Sequence, residues 1–229
     1  MDPFRAQPDP AQVAAADRRR FRRAALASLG FVVLVWLVHL LGGGALGAFA
    51  VHPRSLSGLV GILTAPLLHG SWTHLIANTP SLLVLGTLML AAYPRTARRA
   101  LPLIWLGSGL GVWLIGRDAG HLGASGLTHG LLWCVFFLGL LRRDRSAIAA
   151  TLIGFLLYGG MLLTVLPQGP EISWESHLCG ALMGLLAAVL WRRLDPAPPR
   201  PRYSWEDEEE AEDAPPATTA HLPDRAPPG

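Results

Sequence analysis

Residues 123–142 read GASGLTHGLLWCVFFLGLLR, with no charge before Arg142. The run opens on Gly123-Ala124-Ser125-Gly126 and continues as an apolar stretch close to the length of a membrane helix. A serine flanked by glycines is weak evidence alone. Its place at the mouth of an apolar span is informative, because polar groups inside a bilayer are costly and are kept where they function.

The rest of the chain has the pattern of a polytopic membrane protein. Of its 229 residues, 51% are hydrophobic and 15% charged, against about 25% charged in soluble domains. All 19 basic residues are arginines, gathered in short blocks. Six apolar segments lie between the blocks, at about 24–47, 73–93, 101–116, 123–141, 146–166 and 177–191. The fold expected is all-α, a bundle of six transmembrane helices. Arg18–Arg20, Arg22 and Arg23 precede the first segment, and Arg95, Arg98 and Arg99 separate the second from the third. Arg142, Arg143 and Arg145 separate the fourth from the fifth, and Arg192 and Arg193 follow the sixth. The positive-inside rule then places both termini in the cytoplasm. The Ala-, Gly-, Pro- and Leu-rich composition fits a bacterial chain, and so an inner (cell) membrane.

These numbers also exclude. The net charge of +3 comes from arginines at span ends, so no nucleic-acid partner is expected. The first apolar run is longer than the core of a cleaved signal, about 7–15 residues. Cys134 and Cys179 both fall in apolar runs, which disfavours a disulfide. His69 and His74 lack the HExxH arrangement, and no Cys/His cluster has zinc spacing, so neither a metal nor a cofactor is expected. Three regions follow: a cytoplasmic Arg-rich segment 1–23, a membrane domain 24–193, and a tail 194–229. The tail holds a proline cluster and seven acids within Glu206–Asp213, a composition that stays disordered. Ser55–Trp72 is apolar but broken by Gly58, Gly61, Pro66 and Gly70. It is expected as an irregular, partly helical interfacial segment, not a seventh span.

Helix rise gives the depth of the polar residues. Ser125 is 17 residues from Arg142, Asn78 is 17 from Arg95, and His177 is 15 from Arg192. At 1.5 Å per residue these lie roughly 22–25 Å above the cytoplasmic interface, within a hydrocarbon core about 30 Å thick. His74 is one turn above Asn78 on the same face. Taken singly, each has a bland reading: a serine bonding a carbonyl one turn back, an interfacial histidine, an asparagine between helices. Together, at one depth on three helices, they read as a site for peptide hydrolysis within the bilayer. Ser125 is the nucleophile and His177 the general base. Asn78, His74 and the Ser125 backbone N–H supply oxyanion donors. No acid falls within the relevant segments, so a Ser–His dyad is expected. Gly126-xxx-Gly130 and Gly180-xxx-Gly184 allow the two helices to approach closely. His39, His52, His69 and His121 are expected as interfacial or loop residues.

Three ordered motifs carry a resemblance: His74-Leu-Ile-Ala-Asn78, Gly123-Ala-Ser125-Gly126 and His177-Leu-Cys-Gly180-Ala-Leu-Met-Gly184. They resemble the rhomboid family of intramembrane serine proteases over roughly 24–193. The resemblance implies a Ser125/His177 dyad with His74 and Asn78 as oxyanion donors. It also implies substrates that are membrane proteins with a locally unstable transmembrane helix. Two departures stand out. The Trp-Arg pair that family members often carry in the first outer loop is missing, with Arg54 following Pro53. His129 stands where a tyrosine commonly packs on the catalytic histidine. It is expected to pack on His177, where a charged imidazole would oppose protonation of that ring. The alternative reading is a catalytically silent relative that binds membrane clients; such proteins usually lack the Ser or the His.

Overall fold

The computed structural model describes residues 9–167, 169 and 172–195. The tail expected beyond them lies outside the described residues. Among the described residues seven α-helices follow one another: α1 Pro10–Gly42, the single turn α2 Gly61–Thr64, α3 Trp72–Ala92, α4 Pro94–Ile115, α5 Ser125–Arg142, α6 Arg145–Tyr158 and α7 Trp174–Trp191. Short 3-10 segments fill Gly43–Phe49, Ser57–Leu59, Ala65–Leu67 and Gly159–Val165. Among the described residues there is no strand, only one antiparallel bridge between Val51 and His121. Five helical stretches among the described residues are long and apolar enough to cross a membrane: Ala11–Gly42, Trp72–Ala92, Ser125–Arg142, Ala147–Val165 and Trp174–Trp191. α4 has 22 residues but is not among them; Arg95, Arg98 and Arg99 occupy its start.

Local chemistry sets the helix ends. The Ser71 side chain caps α3 by accepting the His74 N–H at 3.1 Å. The Asp144 carboxylate caps α6 through the Ala147 N–H at 2.9 Å. α4 starts on Pro94, and its first amides are satisfied from far along the chain. The Asp195 carboxylate accepts from Arg95 N–H and Thr96 N–H, both at 2.9 Å. Arg142 pairs with Asp144 at 2.8 Å and donates to the Arg192 carbonyl at 3.1 Å and to the Asp195 carbonyl. The arginine end of α4, α5 and α7 is thus tied together, and Leu194 and Asp195 belong to the bundle.

α5 is the central helix and the most buried span, with α7, α4, α3 and α6 around it. The core gathers Leu85, Met89, Ile104, Leu131, Leu132, Val135 and Leu138, each 2% exposed or less. α5 and α7 meet through glycine. A Cβ on Gly180 would collide with the Gly126 carbonyl oxygen, and one on Gly184 with that of Gly130. The segment between α1 and α3 is irregular and carries exposed Leu56, Val60 and Leu63. Arg54 and Trp113 anchor it in place of an adjacent Trp-Arg pair. Arg54 donates to the Gly116 carbonyl at 2.8 Å, and Trp113 Nε1 to the Ser55 carbonyl at 2.8 Å.

Candidate active site

Ser125 is the first residue of α5 and is half-buried. The turn before it is shaped by Gly123, at φ 121°, a left-handed conformation that L side chains rarely adopt. A Cβ on Gly123 would collide with the ring of His74, so α3 presses directly on this turn. Gly123 N–H donates to the Ala65 carbonyl at 2.9 Å.

His177 lies in the first turn of α7 and is buried. Its Nδ1 is 3.0 Å from the Thr164 carbonyl oxygen, which can only accept. Nδ1 therefore carries the proton, and in the neutral ring Nε2 is left as the basic nitrogen. The neighbours of the two residues touch: a Cβ on Gly126 would come within 3.1 Å of the Ser176 carbonyl oxygen. The close approach of α5 and α7 is therefore made at the level of Ser125 and His177.

The His129 and His177 rings stack, with centroids 3.9 Å apart and planes 10° from parallel. His129 Nδ1 donates to the Ser125 carbonyl at 2.7 Å, and its Nε2 lies 2.7 Å from Thr164 Oγ1. Thr164 thus serves both rings, His177 with its carbonyl and His129 with its hydroxyl. The Met161 carbonyl, 2.8 Å from the same hydroxyl, competes with His129 Nε2 for its single hydrogen. The His74 ring lies against Gly123, and Asn78 is buried one turn below it. One Asn78 amide hydrogen is spent on the His74 carbonyl at 3.0 Å. The structure thus gathers Ser125, His177, His129 and His74 around one turn, with Asn78 beneath His74.

Several neighbours were not legible. His69, expected as an interfacial or loop residue, lies in a loop but is 4% exposed and edge-on to His74 at 4.9 Å. Its Nε2 faces the Ala124 N–H at 3.4 Å. Burial first, then His74 and His39, push its pKa down to about 3. His39 is buried edge-on to Trp72 and bonds the His69 carbonyl at 3.1 Å. His121 is buried and joins two loops: its backbone bridges Val51, and its ring bonds Ser173 Oγ and the Arg117 carbonyl. Glu175 is also within the relevant helix. α7 begins at Trp174, three residues before the apolar segment expected from 177, so Glu175 falls in its first turn. It is buried and paired with Arg117 at 3.6 Å. No hydrogen bond joins it to His177 among the described residues, since residues two apart on a helix do not face each other. Thr164 left no sequence signal because its contact with His177 is made by a backbone carbonyl.

The Rhomboid domain family matches residues 56–194, more than half of the chain. An uncharacterized protein of Mycobacterium tuberculosis (strain H37Rv) is 42% identical over 174 residues, covering 71% of this chain and 72% of its own. An uncharacterized protein of Mycobacterium leprae (strain TN) is 36% identical over 185 residues, covering 76% of this chain and 73% of its own. Apolar helices of spanning length and this family match make the chain an integral membrane protein. It belongs to the rhomboid family.

Proposed function

We propose that this protein is an intramembrane serine endopeptidase that cuts transmembrane segments of membrane proteins. The observation that carries the reading is the crossing of α5 and α7. Glycine at 126 and 180 brings the helix bearing Ser125 against the helix bearing His177, whose Nδ1 is already committed to Thr164. In this reading His177 Nε2 takes the Ser125 hydroxyl proton as Oγ attacks the scissile carbonyl carbon. The oxyanion receives hydrogen bonds from the His74 ring, the free Asn78 amide hydrogen and the Ser125 N–H. His177 returns the proton to the departing amine, and water then hydrolyses the acyl-serine by the same route. Membership of the rhomboid family supports this chemistry, since its members are usually serine intramembrane proteases. The reading includes α4 as a sixth span, both termini in the cytoplasm and an inner-membrane location, all from the arginine pattern.

Fluorophosphonate labelling of the full chain in bilayer nanodiscs tests it. Wild type is expected to label, and Ser125→Ala and His177→Ala to remain unlabelled while still folded. Labelling that persists in Ser125→Ala would overturn the nucleophile assignment. A folded wild type that does not label supports a silent, client-binding relative instead.

A further inference from the structure

A second feature lies between α1 and α4, which do not pack along each other. They meet where Phe31 stands edge-on to Trp105 at 5.7 Å. A cavity of about 410 Å³ fills the gap, lined by Ser28, Phe31, Leu82, Gly86, Trp105 and Leu131 among others. Leu106, also in the lining, is 45% exposed, so the cavity opens on the outer face. Leu90 is shared with a second cavity of about 530 Å³ toward the arginine end. That one is lined by Arg19, Arg20 and Arg23 above an apolar floor of Ala24, Ala27 and Pro94.

The polar groups here are spaced in a telling way. Arg20 pairs with Asp17 at 3.1 Å, but both side chains are more than half exposed, so the pair is weak and exchangeable. Arg19 and Arg23 make no ion pair among the described residues. Ser28 is only 5% exposed, and its Oγ has no hydrogen-bond partner. Such a buried hydroxyl is costly unless something accepts its hydrogen. Ser28 is five residues beyond Arg23, roughly 7.5 Å along the helix. Gly86 faces it, and a Cβ there would stand 2.7 Å from Ser28 Oγ, so only glycine leaves room for the hydroxyl between α1 and α3.

We propose that the joined cavities bind one anionic phospholipid. Its phosphate sits among Arg19, Arg20 and Arg23. A glycerol-ester carbonyl, a few ångströms deeper, accepts from Ser28 Oγ once the hydroxyl turns from Gly86 into the cavity that Ser28 borders. One acyl chain runs past Gly86 and Leu82 against Phe31 and Trp105. Leu90 and Leu82 are two turns apart on α3, roughly 12 Å, enough to hold much of one chain. A net negative headgroup is favoured because arginines near a membrane surface attract anionic lipid. A zwitterionic headgroup brings its own cation to the same place. This proposal is independent of the catalytic reading.

The test is tryptophan quenching in nanodiscs of phosphatidylcholine. A minor fraction is replaced by phosphatidylglycerol or phosphatidylcholine brominated on the acyl chains. Trp105 emission is isolated by difference from Trp105→Phe. Brominated phosphatidylglycerol is expected to quench Trp105 at about tenfold lower mole fraction than brominated phosphatidylcholine. The preference should vanish in Arg19→Gln/Arg20→Gln/Arg23→Gln, and quenching should fall in Ser28→Leu, which fills the cavity. Equal quenching of wild type by both lipids would overturn the proposal without any variant, leaving only ordinary lipid contact. Competition by inorganic phosphate with no effect of Ser28→Leu would overturn the acyl-chain part and leave a free-phosphate site.

Discussion

Two helix pairs in this protein are built in opposite ways. α5 and α7 cross on glycine, so that backbone lies on backbone with no room for a Cβ at Gly180 or Gly184. α1 and α4 are propped apart by Phe31 and Trp105, and a cavity remains between them. The difference shows what each contact is suited to hold. Glycine at a crossing leaves one geometry, as a serine and a histidine on separate helices require. Aromatic props leave space that lipid can enter and leave.

The comparison can be broken most sharply at Gly180. Gly180→Leu must push α7 off the Gly126 carbonyl, and is expected to cost about 3 kcal/mol or more. It should also abolish fluorophosphonate labelling. A variant that keeps both its thermal midpoint and its labelling would show that this crossing is not essential.

Gly123→Ala comes next. It strains a backbone at φ 121° and drives a methyl into the His74 ring. A loss of about 1–2 kcal/mol is expected, with labelling slowed about tenfold. Unchanged labelling kinetics would separate the turn from the chemistry.

His69 gives the pH dependence. Its pKa of about 3 in the folded protein lies below its ordinary 6.5. Between the two values the unfolded chain binds more protons, so stability rises with pH. This contribution is complete above pH 6.5 and is lost as pH falls toward 3. Thermal midpoints across that range should fall more steeply in wild type than in His69→Gln; parallel curves would assign the effect to other groups.

His129→Phe sharpens the active-site side. It keeps a ring against His177 but removes the bonds to Ser125 and Thr164. A stability loss of about 1 kcal/mol is expected, with a shifted acidic limb of the labelling pH profile. An unshifted limb would reduce His129 to a packing residue.

The smallest effect is expected across the gap. Ser28→Ala removes a buried hydroxyl without a partner, and should leave the thermal midpoint in detergent unchanged or raise stability by up to about 1 kcal/mol. A clear loss would mean that the hydroxyl is already well bonded.

Much of this was legible because membrane chains write their constraints in one dimension. Arginine blocks mark span ends, and helix rise converts residue counts into depth. Ser125, His177, Asn78 and His74 could therefore be selected by level before any contact was known. The paired GxxxG spacings also pointed to the α5–α7 crossing. What escaped was made by backbone or by long-range partners. The Thr164 carbonyl that fixes His177 Nδ1 has no side-chain signature. Asp195 meets the start of α4 across about a hundred residues of chain. The burial of His69, His39 and His121, expected as interfacial or loop residues, also escaped, since nothing in their spacing tells a buried ring from an exposed one. Glu175 was missed because a charged residue ends an apolar segment on paper, while the helix continues through it once Arg117 pairs with it.

Composition, arginine placement and three short motifs determined by themselves that the chain is helical and membrane-bound, and which residues to expect at one depth. They suffice because the bilayer imposes a single axis along which charge and apolar length must be arranged. Only the tertiary structure decided which way each ring faces. It put His129 flat against His177, closed the Gly123 turn on His74, and left a lined gap between α1 and α4. Those outcomes depend on the rotation of each helix about its own axis. That rotation is set by packing against every neighbour at once, and no single segment records it.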